Sequence, residues 1–212
     1  MPPFPDPVLN GKLVTLRPAV ETDVPALAAI RATPQVRARW RGGDDLAAEV
    51  RESIADGDLH VLTILLDARE DAREDAEMDA GKGARTDARQ GARTDARGDA
   101  DKGGGRVVGA VQWSAEDDPD YRHASVDIFV DPAVHGRGVG TDAVRALAAY
   151  LIDGVGFHRL VIDPAADNAA AIRCYAKVGF EPVGIMRDYE RGADGSWHDG
   201  LLMDLLATEF LR

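Results

Sequence analysis

Ser125-Val126-Asp127-Ile128-Phe129-Val130-Asp131-Pro132-Ala133-Val134-His135-Gly136-Arg137-Gly138-Val139-Gly140-Thr141 decides how this chain folds. Residues 124–130 read as a strand, stopped by Asp131-Pro132. From Gly138 onward, Val139, Ala143, Val144, Leu147 and Leu151 fall on one face of a helix. The glycines between let the main chain approach a ligand closely. The helix start adds unpaired N–H groups and a partial positive charge. Together they form an anion site suited to a diphosphate. It is not a Walker loop, because no Lys-Ser/Thr follows the last glycine. Nor is it a dinucleotide fingerprint, because G-x-G-x-G lacks the third glycine in its place.

Working outward, the pattern alternates between strands and helices. Residues 12–17, 60–66, 106–113, 124–130 and 159–162 read as the first five strands. Residues 21–32 read as a helix entered through Thr22 or Asp23 with Pro25 in its first turn, and 44–55 as a second. A short helix over 168–178 closes at Gly179. Residues 180–191 and 197–206 form a final hairpin turned by Ala193-Asp194-Gly195. These elements predict one α/β domain over 8–212.

One stretch stands apart. Residues 67–105 are almost entirely Asp, Ala, Arg, Glu and Gly, with no aromatic. Such a segment buries too little apolar surface to offset the entropy of ordering it, and it is expected to be a disordered insert. It sits at the tip of a predicted hairpin, where long insertions cost little.

The chain has 212 residues and a formal net charge of −12, of which the insert contributes −3. That acidity disfavours nucleic acid and anionic membranes and favours cationic ligands. No apolar run approaches the roughly 18 residues that span a bilayer. The start, Met1 to Pro7, has neither a basic n-region nor an apolar h-region, so a cytoplasmic location is expected. The single cysteine, Cys174, leaves no internal disulfide and no Cys-cluster metal site. The histidines have no metal-ligand spacing, and no metal is expected.

His135-x-x-Gly138-x-Gly140 resembles the Gln/Arg-x-x-Gly-x-Gly/Ala signature of the GCN5-related N-acetyltransferase (GNAT) family, with His where Gln or Arg is usual. Asn168-x-x-Ala171-Ile172-x-x-Tyr175-x-Lys177-x-Gly179-Phe180 resembles that family's next signature at the usual distance. The resemblance is clear from about Ser125 to Phe180. It implies an α/β GNAT fold, a mixed and mostly antiparallel sheet splayed between the fourth and fifth strands and flanked by helices. It also implies acetyl-CoA as co-substrate. The amides of Arg137, Gly138, Val139, Gly140 and Thr141, with His135 and Gly136 before them, are then expected at the diphosphate. The main chain of Ile128, Phe129 and Val130 is expected along the pantetheine arm, with Asn168 touching it through its side chain. Tyr175 is expected to protonate the departing thiolate.

A narrower resemblance points to aminoglycoside 6′-N-acetyltransferases. It rests on Ile162-Asp163-Pro164 followed by Asn168 to Tyr175, on Trp40-Arg41-Gly42-Gly43, on Gly109-Ala110-Val111-Gln112 and on Asp194-Gly195. It implies a small cationic amine as acceptor, with Asp127 as the group that binds the ammonium and takes its proton. Trp40, Asp163 and Asp194 join Asp127 as acceptor residues. An ammonium must lose a proton before it attacks a thioester, so a carboxylate there has a chemical reason. Asp117-Asp118-Pro119-Asp120 reads as an acidic turn lining the opening, and Trp113 and Trp197 read as packed. Cys174 has no His at a recognisable spacing and reads as a small buried helix residue rather than an acyl carrier. A protein or ribosomal-protein N-terminal acetyltransferase shares the motif ending Gly179-Phe180-Glu181, and a non-catalytic acyl-CoA sensor stands as a third reading. A monomer or a homodimer is compatible with each.

Overall fold

The computed structural model describes residues 7–40, 42–67, 105–192 and 195–211. Eight strands form one sheet: β1 (Leu9–Asn10), β2 (Val14–Pro18), β3 (Leu59–Leu66), β4 (Arg106–Glu116), β5 (His123–Val130), β6 (Arg159–Ile162), β7 (Glu181–Arg191) and β8 (Trp197–Leu206). Their order is β1-β2-β3-β4-β5-β6-β8-β7. The helices are α1 (Val24–Arg31), α2 (Pro34–Arg37), α3 (Leu46–Ala55), α4 (Val139–Ala149) and α5 (Ala169–Ala176). β1 and α2 are too short to leave a periodic signal. The predicted insert lies, except for its end residues Asp67 and Gly105, outside the described residues. The strands on either side of it pair up to Leu66↔Arg106.

Side-chain alternation divides the core into two layers. Val14, Leu16, Leu62, Ile64, Val111 and Trp113 point to the α4 side, where they meet Val139, Val144, Leu147 and Leu151. The predicted apolar face of α4 is thus the one it buries, and each such side chain contributes about 1.5–3 kcal/mol. The opposite face carries Ala110 and Phe129, covered by Val24, Leu27 and Ile30 of α1, Val36 of α2 and Val50 of α3.

Two buried carboxylates tie elements together. Asp142, on the first turn of α4, accepts from the amides of Leu13 (2.7 Å) and Val14 (3.2 Å), which fixes α4 against the start of β2. Asp23, one of the two cap candidates with Thr22, is the N-cap residue of α1, but its side chain makes no capping bond. Its carboxylate is drawn to better donors: both guanidinium nitrogens of Arg17 at 2.7 Å, the Val20 amide at 3.0 Å and the Thr63 hydroxyl at 2.8 Å. Burial pulls its pKa upward, but these donors outweigh burial and hold it below the usual carboxylate value. A lowered folded-state pKa means stability that is fully present above the unfolded value of about 3.9 and is lost as pH falls through the folded one. Asp23→Ala removes the ion pair with Arg17 and the hydrogen bond from Thr63 and is expected to cost about 3 kcal/mol, measured by urea unfolding at pH 7. The deficit narrows below about pH 4, where the native carboxylate itself is neutralised.

The feature that positions the site is a divergence. β5 pairs with β4 along its whole length, from Glu116↔His123 to Gly109↔Val130. Its parallel pairing with β6 covers only Ala124↔Leu160 and Ser125↔Val161. Beyond that point the two strands part. The splay expected between the fourth and fifth strands therefore lies between β5 and β6, because β1 adds one strand at the far edge.

Candidate functional site

The glycine stretch turns the chain from β5 into α4. Asp131 accepts from the Ala133 amide at 2.9 Å and starts a tight turn over Pro132–Val134. Gly136 (φ 80°) and Gly138 (φ 86°) then adopt left-handed backbone, a region that costs other residues strain. Gly138 is the N-cap of α4, and the first bond back into the helix runs from Asp142 N–H to the Gly138 carbonyl at 2.9 Å. The amides of Gly138, Val139, Gly140 and Thr141 precede that bond and serve no helical acceptor. The Val139 side chain is anchored in the core. Thr141 Oγ1 meets Cys174 Sγ at 3.2 Å. An anion here would therefore be held by main-chain N–H groups.

The other residues expected at the diphosphate are less free. The Arg137 amide donates to the Val134 carbonyl across 3.4 Å. The His135 ring lies 3.0 Å from the Val130 carbonyl through Nε2, so it turns back onto the strand. On β5 itself, the Ile128 amide donates to Asp127 Oδ1 at 2.9 Å. Ile128 and Val130 pack toward the α4 side and Phe129 toward α1. Asn168 is the N-cap of α5, where its Oδ1 accepts from the Ala171 amide at 3.2 Å. That bond uses the oxygen and leaves the Nδ2 hydrogens for another partner.

Carboxylates gather where β5 and β6 part. Asp127 stands across from Gln112 on β4, and Asp163 follows the last residue of β6. Asp127 keeps contact with solvent, yet protein surrounds it within the notch. That crowding raises its pKa to about 7, against the Ile128 hydrogen bond and with help from the charges of Asp163 and Glu190. Tyr175, on α5, reaches the same notch from the α4 side. It is buried, its ring lies 6.3 Å from that of Phe180, and burial first, then the charges of Asp127 and Asp163, push its phenol well above the usual value. It stays protonated across the physiological range, so it can give a proton but cannot serve as a base. Burial likewise raises the Cys174 thiol, which is the opposite of what a nucleophilic thiolate needs.

A cleft of about 320 Å³ opens on the α1–α3 face. Trp40, Glu49, Glu52, Asp56, Gln112 and Phe129 line it. Trp40 is edge-on to Phe129 at 4.9 Å. Phe129 shares its strand face with Asp127, so the cleft runs toward the carboxylate notch. Glu49 is neutralised by Arg31 at 2.7 Å, while Glu52 and Asp56 add negative charge. An ion pair between Arg39 and Asp167 ties the segment before Trp40 to the loop after β6.

The structure thus brings Asp127, Asp163 and Tyr175 together and sets Trp40 on the wall of an adjoining cleft. Asp194 lies outside the described residues. Trp113 is buried as expected, but Trp197 is 59% exposed, because the distal half of the β7–β8 hairpin projects beyond the core. Sequence reasoning missed Tyr189, Glu190, Glu52 and Asp56. Nothing in their spacing marks them, since each reaches the site only through tertiary folding.

A strand leading into a glycine-turned helix entrance, an open strand edge and an acidic notch thus lie on one α/β scaffold. The sequence model of the Acetyltransferase (GNAT) domain matches residues 14–181, so this protein is a member of the GNAT acetyltransferase family. Among curated relatives, it is 38% identical over 72 residues to the aminoglycoside N(6′)-acetyltransferase type 1 of Klebsiella pneumoniae, covering 34% of this chain and 35% of that one. It is also 38% identical over 78 residues to the N-alpha-acetyltransferase RimI of Mycobacterium tuberculosis, covering 36% and 47%. The chain matches about a third to a half of the length of these relatives. Mycobacterium smegmatis RimJ in complex with CoA-disulfide superposes with a TM-score of 0.69 at 20% identity, over 99% of this chain and 90% of that one. Among the described residues, no helix is long and apolar enough to cross a membrane.

Proposed function

We propose that this protein is an acetyl-CoA-dependent N-acetyltransferase whose acceptor is a primary amine of a small polycation, of the kind the 6′-amine of an aminoglycoside represents. The observation that carries the reading is the juxtaposition of two unlike sites. Unpaired amides at residues 138–141 suit a pyrophosphate, and the acidic notch of Asp127 and Asp163, where β5 and β6 part, suits ammonium groups. Acetyl-CoA supplies an activated acetyl group as a thioester. Residues Gly138 to Thr141 hold its diphosphate, and the open edge of β5 at Ile128 to Val130 takes the extended arm as an added strand.

The protein's own groups then divide the proton work. Asp127, with a pKa raised to about 7, binds the acceptor ammonium and removes its proton. Tyr175, held as a neutral phenol, donates a proton to the leaving sulfur. Asp163 and Glu190 extend the negative field and attract further charges of the acceptor. The cleft beside Trp40 and Phe129 receives its body.

This assignment fixes a pH dependence. Asp127 must be ionised to work, so kcat/KM for the acceptor falls as pH drops below about 7 and levels above it. Asp127→Asn is expected to remove that inflection.

A second reading, N-terminal acetylation of a protein, has the RimI match in its favour. A screen of aminoglycosides, polyamines and peptide N-termini with acetyl-CoA, read by free thiol release, separates the two. Turnover of peptides alone discards the polycation, and turnover of nothing, with CoA still bound, supports a non-catalytic sensor.

A further inference from the structure

We infer that Tyr189 is a positioning residue for the acceptor: its hydroxyl holds the Asp163 carboxylate at the mouth of the β5–β6 notch, so that Asp163 receives a second ammonium of the acceptor while Asp127 serves the reacting amine. The inference rests on the polycation reading and adds a specificity-determining side chain to it.

The observation behind it is a built irregularity in β7. After an earlier register shift between Pro182 and Gly184, pairing with β8 runs from Gly184↔Leu202 to Met186↔Gly200 and resumes at Glu190↔His198. Between them, three residues, Arg187 to Tyr189, stand opposite the single Asp199. Such a bulge redirects a side chain and is common beside active sites. Asp188 takes a left-handed φ of 50°, a region that glycine, asparagine and aspartate tolerate best. Its amide is held in place by Asp199 Oδ1 at 2.9 Å.

The bulge lays the Tyr189 ring across β8 at Gly200. A Cβ on Gly200 would stand 2.8 Å from Tyr189 Cδ1, so only glycine admits the ring there. Gly200 itself bridges to Ala165, and the Leu201 amide donates to the Pro164 carbonyl at 2.8 Å, so the ring stands beside the segment that carries Asp163. The approach of the Asp163 carboxylate first, then partial burial, push the phenol up to about 12, with further help from the charges of Asp127 and Glu190. Tyr189 remains 48% exposed, so its ring also faces whatever enters the notch.

The arrangement separates two carboxylates by what holds them. Asp127 is tied to its neighbouring amide, whereas Asp163 is aimed by a side chain seated on another strand pair. Loss of the aim affects only acceptors with more than one cation. Tyr189→Phe keeps the ring on Gly200 and removes the donor. With whichever of kanamycin or spermidine the wild type acetylates, KM is expected to rise about tenfold, the order expected for one hydrogen bond to a charged group. For n-butylamine, with one ammonium, KM should move less than about twofold, as should kcat for both amines and KM for acetyl-CoA. In an Asp163→Asn background, Tyr189→Phe should add less than about twofold, because the pair acts as one unit. Equal effects on the two classes of amine, a change confined to kcat, or independent effects of the two substitutions would each overturn the role of Tyr189 while leaving the polycation reading standing. A wild type that binds and acetylates neither polycation overturns both.

Discussion

Asp127→Asn is expected to lower kcat for the acceptor by about 10²- to 10⁴-fold, the range for removing a positioned general base, if Asp127 serves as proposed. The affinity for CoA is expected to stay within about threefold, because asparagine keeps an oxygen for the Ile128 amide, the one hydrogen bond Asp127 makes along β5. The size of the loss follows from the environment. A carboxylate in open water titrates near 4 and is a weak base toward an ammonium. Crowding in the notch lifts Asp127 to about 7, which matches it to proton transfer at neutral pH. The effect should fall on kcat and kcat/KM together, since the proton leaves only on the way to the transition state. A variant that keeps its kcat and merely binds acceptor less well would reduce Asp127 to an electrostatic anchor.

The second large effect is expected at Gly138. Gly138→Val places a β-branched residue at φ 86°, a conformation such residues essentially avoid. A Cβ there meets only Leu13 Cδ1, at 3.6 Å, so the damage is conformational and not steric. The backbone must rotate out of the left-handed region, at a strain of about 1–3 kcal/mol if it does not. Once it rotates, the amides of Val139 to Thr141 lose their common direction. CoA affinity is expected to fall at least tenfold, about 1.4 kcal/mol, by isothermal titration. Gly184→Ala serves as the control, since a Cβ at Gly184 meets nothing within 4 Å. Equal affinity in the two variants would remove the glycine turn from the carrier site.

How much of this was legible in the sequence depends on range. The strand ending at Asp131, the buried face of α4 and the hairpin closing the sheet are written in local periodicity and turn residues, and the structure repeats them. The divergence of β5 from β6 came from resemblance, not from any local pattern. What could not be read was where polar side chains find their partners. Asp142 sits one turn into a helix like a surface residue, yet it is buried because Leu13 and Val14 present their amides to it. Asp23 was read as a cap because caps are local, but Arg17 and Thr63 offered stronger bonds from neighbouring strands. Asn168 carries a cap that its motif does not announce. Tyr189 was silent for the same reason: its direction depends on a bulge set by Asp188 and Asp199, eleven residues apart. The cleft beside Trp40 is assembled from α1, α3 and three strands, and no spacing along the chain encodes it.

The central claim is that main-chain amides at the entrance of α4 grip the pyrophosphate of a thioester carrier. Amide-resolved NMR of the ¹⁵N-labelled protein titrated with CoA tests it most directly. The account predicts that Gly138, Val139, Gly140 and Thr141 show the largest saturable shifts, with Ile128 following as its amide exchanges partners. An unchanged spectrum at high CoA concentration, or shifts centred on another part of the fold, would contradict it.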